Sequence, residues 1–269
     1  MHHLFRGFAA IGCSTVFATS VAVAADLPTK GPIAPPAPAV YNWTGFYVGL
    51  NAGGAWGQSD VITQVNTPGT FFATVNLPAI NANGNSTVDP SGFTGGIQAG
   101  YNWQSGGWVF GVEADFEYFG LKDSRSVTAQ YTASVPVANY TINQQVETDW
   151  LFTLRPRLGW AFNNWLLYAT GGLAVTEIKY TNTFVDGYYP SLQNGSVSRT
   201  QAGWTAGVGV EYAYMNSWSA KLEYLYTDFG NVSSNVPVVA STGAATTAPM
   251  SNSANLTANI VRVGLNKKF

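Results

Sequence analysis

From Trp150 to Trp160 the chain alternates bulky apolar residues with polar ones. Trp150, Phe152, Leu154, Leu158 and Trp160 fall on one side; Thr153, Arg155, Arg157 and Gly159 fall on the other. A β-strand sends successive side chains to opposite faces, so the segment reads as a strand with one greasy and one charged surface. The pattern recurs. After Tyr41 the chain divides into eight such segments: Trp43 to Ser59, Ser91 to Trp103, Trp108 to Asp123, Glu147 to Phe162, Trp165 to Tyr180, Arg199 to Tyr214, Trp218 to Gly230 and Ala254 to Phe269. The third is sharp, with Phe110, Val112, Ala114, Phe116 and Tyr118 opposite Glu113, Asp115 and Glu117. In the fifth the facing blurs, because Leu166 and Tyr168 interrupt the polar side.

The joints alternate as the strands do. Gln104 to Gly107, Asn163-Asn164 and Met215 to Ser217 are hairpin-length turns of Gly, Asn and Ser. Asp60 to Pro90, Ser124 to Val146, Thr181 to Ser198 and Asn231 to Ser253 are about 18 to 31 residues each, polar and low in charge. Short turns at one end and long loops at the other predict an all-β fold, an eight-stranded antiparallel up-and-down transmembrane β-barrel. Tryptophans give a separate indication. Trp103, Trp108, Trp160, Trp165 and Trp218 flank the short turns, while Trp56, Trp150 and Trp204 sit at strand ends beside the long loops. Two girdles at membrane–water interfaces account for that placement. A soluble ligand-binding barrel of lipocalin type is the rival, with the apolar faces lining a cavity; it leaves both girdles unexplained. Pro156 lies inside the fourth segment and cannot donate a ladder hydrogen bond, so a bulge is expected there.

With the apolar faces on lipid, Glu113, Asp115, Glu117, Arg155, Arg157, Glu211, Lys221, Glu223 and Arg262 point inward. Five acids meet four bases. A barrel of eight strands is roughly filled by its own side chains, so these charges are expected to pair into a lumenal network that plugs the pore. The functional alternative is a narrow charge-lined path for small solutes, which inward glycines would widen.

The first residues change the chemistry that is available. His2, His3 and Arg6 precede an apolar run to Val23 and the small residues Ala22-Val23-Ala24-Ala25, the layout of a secretory signal peptide over 1–25. Residues 26–40 follow as a proline-rich periplasmic leader, and 41–269 as the barrel. His2, His3 and Cys13 are the only histidines and the only cysteine. Cleavage would leave neither imidazole nor thiol, which removes Ser/His/Asp and Cys/His catalysis, disulfides and most metal chemistry. No cofactor is expected. A formal charge of −2 offers nucleic acid nothing.

The chain ends in Val261-Arg262-Val263-Gly264-Leu265-Asn266-Lys267-Lys268-Phe269, in which Gly264, Leu265 and Phe269 have the form of an outer-membrane assembly signal. Together with Ala24-Ala25-Asp26-Leu27-Pro28, Tyr41-Asn42-Trp43-Thr44-Gly45-Phe46-Tyr47-Val48-Gly49 and Arg157-Leu158-Gly159, this tail resembles the alphaproteobacterial porin-like family of outer-membrane immunogenic proteins. Lys267 departs from the family pattern, where an aromatic residue is usual. The resemblance implies an abundant, antigenic barrel of the Gram-negative outer membrane, exposed at the cell surface and tied to envelope integrity. Its partners would be outer-membrane lipid, lipopolysaccharide and the barrel assembly machinery. Some members are said to act as weak porins or to bind haem, but here only tyrosines, Met215 and Met250 stand in for a histidine ligand. The expected role is structural and surface-presenting, without catalysis; the alternative is a small porin-type channel. An extracellular partner of the long loops stays unidentified, and tracts such as Thr242 to Thr247 read as a solvated surface.

Overall fold

The computed structural model describes residues 41–65, 73–133, 137–187, 191–215, 217–240 and 245–269. The expected signal peptide and leader, and part of the Thr242 to Thr247 tract, lie outside these residues. The strands are β1 (Gly45–Val65), β2 (Asn85–Val88), β3 (Ser91–Ser105), β4 (Trp108–Phe119), β5 (Lys122–Gln130), β6 (Asn139–Phe162), β7 (Trp165–Asp186), β8 (Ser191–Met215), β9 (Trp218–Ala240) and β10 (Ala245–Lys268). One α-helix, α1 (Leu77–Gly84), lies between β1 and β2.

Eight of these strands close a ring in the order β1-β10-β9-β8-β7-β6-β4-β3, and β3 returns to β1. Every pairing is antiparallel. The hairpins at one end are tight. Gly106 and Asn163 adopt left-handed φ of 60° and 51°, the backbone that two-residue turns between twisted strands require. Within the ring, the outward positions carry Phe46, Leu50, Ile97, Phe110, Leu158, Leu167, Val208, Leu222 and Val263, all exposed. Trp108 and Tyr118 on β4 bracket a belt that, at ~3.4 Å per residue and a tilt of ~40°, stands roughly 25 Å tall, the height of a hydrocarbon core crossed by a barrel.

The segments expected to be long loops are largely strand. β6 begins at Asn139, β7 runs to Asp186, β8 starts at Ser191, and β9 and β10 extend to Ala240 and from Ala245. The wall thus continues past Trp56, Trp150 and Trp204 by about the height of the belt again. Its side-chain sense reverses there. On β6 the outward residues become Thr141, Asn143, Gln145 and Glu147, whereas Tyr140, Ile142 and Val146 turn inward and are buried. A bulge between Thr148 and Leu151 marks the changeover. A change of outer solvent from lipid to water at this line accounts for the exchange of faces.

Pairing changes at the same height. β3 breaks at Asp89-Pro90 and β4 at Gly120-Leu121, after which β2 pairs with β1 and β5 with β6. On the opposite wall, β8 and β9 are paired from Trp204–Asp228 downward and again only at Leu192–Val239 and Ser191–Ala240. The upper half is therefore two facing four-stranded sheets, β2-β1-β10-β9 and β8-β7-β6-β5, pinned at the tip. Facing sheets bury an apolar layer between them, and Val61, Phe119, Val146, Leu151, Ile178, Leu225, Phe229 and Ile260 supply it. Because every second amide of 195–203 would face the unpaired seam, those amides are expected to exchange with deuterium far faster than those of β7, which is paired on both sides. Uniform protection along β8 would contradict the pairing.

Pro156 creates no bulge. Register is unshifted across it on both sides, with Val112 opposite it on β4. Its ring points outward, and the ladder is simply unbridged where it meets Gly171 and Gly172. Thr170 Oγ1 donates to the Pro156 carbonyl at 2.9 Å, so the carbonyl keeps a partner.

The packed lumen

The nine expected inward charges all lie within the ring and are all buried. They form one continuous cluster. Arg155 on β6 reaches Glu113 at 2.8 Å and Asp115 at 2.7 Å on β4, and Glu223 on β9 at 3.2 Å. Arg262 on β10 holds Glu117 at 2.9 Å, the other oxygen of Asp115 at 2.9 Å and Glu223 at 2.7 Å. The two guanidinium groups thus share Asp115 and Glu223 between opposite walls. Lys221 donates to Glu113 at 2.8 Å, and Arg157 pairs with Glu211 at 2.8 Å.

Neutral groups complete the cluster, and these were not singled out in advance. Tyr47 donates to Glu113 at 2.7 Å and accepts from Arg157 at 2.9 Å; Tyr168 donates to Glu223 at 2.9 Å. The Arg157 guanidinium lies 4.0 Å from the Tyr168 ring centre. Room for these rings comes from glycine: a Cβ at Gly209 would sit 2.4 Å from the Tyr168 ring, and one at Gly100 2.4 Å from the Tyr47 hydroxyl. Ser219 and Asn266 both donate to Glu211, and Thr153 donates to Asp115. Inward parity was the available signal, for Tyr47 and Asn266 share a strand face with the charges; Tyr168 was visible only as the interruption in segment five.

Apolar tiers close both ends of the cluster. Toward the short turns, Trp43, Val109, Ala161, Leu166, Tyr168 and Ala213 make a floor against which Tyr41 packs. Burial and the nearby Glu211 carboxylate push the Tyr41 phenol up to about 12. Toward the other end lies the layer between the two sheets. Above it Thr63, Gln144, Asn182 and Asn252 hydrogen-bond across the interior, and Ile80 of α1 seals the mouth with Val65, Tyr140, Ile142, Phe184 and Met250.

The eight expected girdle tryptophans all point outward. Trp103, Trp108, Trp160, Trp165 and Trp218 encircle the short-turn end, and Trp56, Trp150 and Trp204 the line where the faces reverse. Trp108 and Trp160 meet edge to face at 5.0 Å, and Phe116 stacks on Trp150 at 6.1 Å. In the tail Gly264 lies on the inward face, whereas Leu265 and Phe269 are exposed outside. The Phe269 amide donates to the Phe46 carbonyl at 2.9 Å, tying the tail to the first strand.

Known proteins resemble the chain in this architecture. The family described as outer membrane protein beta-barrel domain matches residues 31–269. A 31 kDa outer-membrane immunogenic protein of Brucella melitensis is 38% identical over 221 residues, 81% of this chain and 84% of the relative. A 22 kDa outer membrane protein of Rhizobium leguminosarum is 34% identical over 139 residues, 51% of this chain and 53% of the relative. Among solved structures, the outer membrane protease OmpT of Escherichia coli gives a TM-score of 0.47 at 9% identity, covering 86% of this chain and 99% of that one.

Proposed function

The chain belongs to the outer-membrane β-barrel protein family, and from that premise we propose that it is a closed, non-enzymatic barrel that spans the outer membrane and presents a rigid two-sheet head at the cell surface. The observation that carries this reading is the pair Arg155 and Arg262. Both are fully buried, and each grips carboxylates reaching from other walls, so the paired charges span the lumen from side to side. The apolar floor and the sheet-to-sheet layer add two further barriers to water and ions. The same pairing argues against catalysis. A general acid or base needs a proton-accepting site within reach of substrate, but Glu113, Asp115, Glu117, Glu211 and Glu223 are each engaged by an arginine or lysine inside the wall.

In outer-membrane barrels the short turns face the periplasm and the long connections face outward. The two-sheet head then stands above the membrane with polar residues on its outer surface, the part of the molecule that antibodies and other cells would meet. The head is a packed body, and its outer surface is fixed by strands on both sheets.

Planar-bilayer recording tests the closed state. Purified barrel, shown to be folded by its gel mobility with and without boiling, is expected to carry no stepwise conductance. Stable steps that change when Glu113→Gln or Arg155→Gln is introduced would overturn the reading and make the lumen a small-solute channel.

A further inference from the structure

Lys267 has no role in the lumen or in the packing of the head. It lies on the outward side of β10, in line with Val261, Val263, Leu265 and Phe269. Among the described residues it is the only lysine or arginine on the outer face of the belt, and it makes no ion pair. Its ammonium is held instead over aromatic faces, 5.5 Å from the Trp218 ring centre and 5.8 Å from that of Phe269. A cation at this depth bends toward the interface and takes an anionic partner, since hydrocarbon gives it none.

Two recesses of different character meet at this lysine. Toward the short turns a recess of about 450 Å³ is lined by Met215, Ser217, Trp218 and Lys267. Up the belt runs an apolar groove of about 630 Å³, also lined by Trp218 and Lys267. Its floor is low because Ala99 and Ala114, each with only a methyl group, are register partners across β3 and β4, and its sides are raised by Val48, Leu50, Ile97 and Leu265. A small polar recess, a cation and an apolar trough in sequence fit a head group, its phosphate and an acyl chain.

We propose that Lys267, Trp218 and this groove form a binding site for one anionic phospholipid of the periplasmic leaflet, with its phosphate on the Lys267 ammonium and an acyl chain along the Ala99–Ala114 trough. Charge complementarity selects the occupant: the only cation on the outer face of the belt among the described residues lies beside Trp218 of the short-turn girdle, the level at which phosphates are met, and the trough continues from it up the belt. The site depends on the barrel's seat in the membrane and not on whether its lumen is closed.

The test compares lipid retention by native mass spectrometry after extraction into detergent micelles doped with equal amounts of phosphatidylglycerol and phosphatidylcholine. The wild-type barrel is expected to retain one phosphatidylglycerol about fivefold in preference to phosphatidylcholine, the effect of a single interfacial lysine on anionic lipid. Lys267→Gln, which removes the charge, and Ala99→Trp, which fills the trough, are each expected to abolish the preference; Ala114→Leu replaces Ala99→Trp if that variant does not fold. Equal retention of both lipids by the wild type overturns the proposal. So does a preference lost in Lys267→Gln but kept when the trough is filled, which would be adsorption to a charge without a site. A wild-type chain that fails to show heat-modifiable mobility in phospholipid vesicles would instead remove the membrane reading itself.

Discussion

Arg155→Ala is expected to destabilise the barrel by about 3–5 kcal/mol, because it strands carboxylates that are already out of water. Arg155 is fully buried, and its removal leaves Glu113 with Lys221 and the more distant Arg157 and Arg262, Asp115 with Arg262, and Glu223 with Arg262 and a more distant Lys221. The five acids of the cluster would then face three bases. Equilibrium urea unfolding in phospholipid vesicles, followed by tryptophan fluorescence, measures the loss; a midpoint unchanged from wild type would mean that water enters the lumen and screens the cluster. Arg155→Lys is expected to recover only part of the loss. One ammonium keeps the charge but cannot reproduce the planar fork that spans β4 and β9.

Leu222→Arg should cost about 2–4 kcal/mol, the penalty for an arginine on the lipid face near the bilayer midplane. Leu222 is 50% exposed on the outside of β9, between Trp218 at one edge of the belt and Tyr226 near the other. Gln145→Arg, outward on β6 above the line where the faces reverse, is expected to change stability by less than about 0.5 kcal/mol, as surface substitutions usually do. Equal costs at the two positions, in the same urea titration, would place the lipid boundary somewhere other than the Trp56, Trp150 and Trp204 line. The comparison therefore measures where the membrane ends on the molecule as well as how stable it is.

Within the belt, side-chain parity on each strand was legible in the sequence, since Phe110 to Tyr118 and Glu113 to Glu117 alternate without interruption. The short turns were legible too, in Gly106-Gly107 and Asn163-Asn164. The head was harder to read. Tyr140, Ile142, Gln144 and Val146 still alternate with Thr141, Asn143, Gln145 and Glu147, but with apolar residues now inside, and the bulge at Thr148 to Leu151 slips the phase by one residue. A strand whose pattern inverts resembles a polar loop when only an apolar outer face is sought. Pro156 misled for the opposite reason, for a missing donor suggested a bulge where the sheet merely omits a bridge. The cluster's charges could be placed by parity, yet Tyr168 could not. Its inward position depends on the space above Gly209, and that proximity arises only from pairing between β7 and β8.

The lumenal contacts also bear on the order in which the barrel is built. Arg262 stands on the last strand, and its partners Asp115 and Glu117 stand on β4, separated by 147 and 145 residues. Until β10 joins both β9 and β1, those acids have no guanidinium from that side. A half-closed sheet would hold carboxylates in a narrowing, drying interior with too few cations. Contacts of such long sequence separation form late and slow the reaction that depends on them. Closure is thus the step that neutralises the interior, which makes partially zipped forms costly and the final union of the first and last strands a kinetic latch.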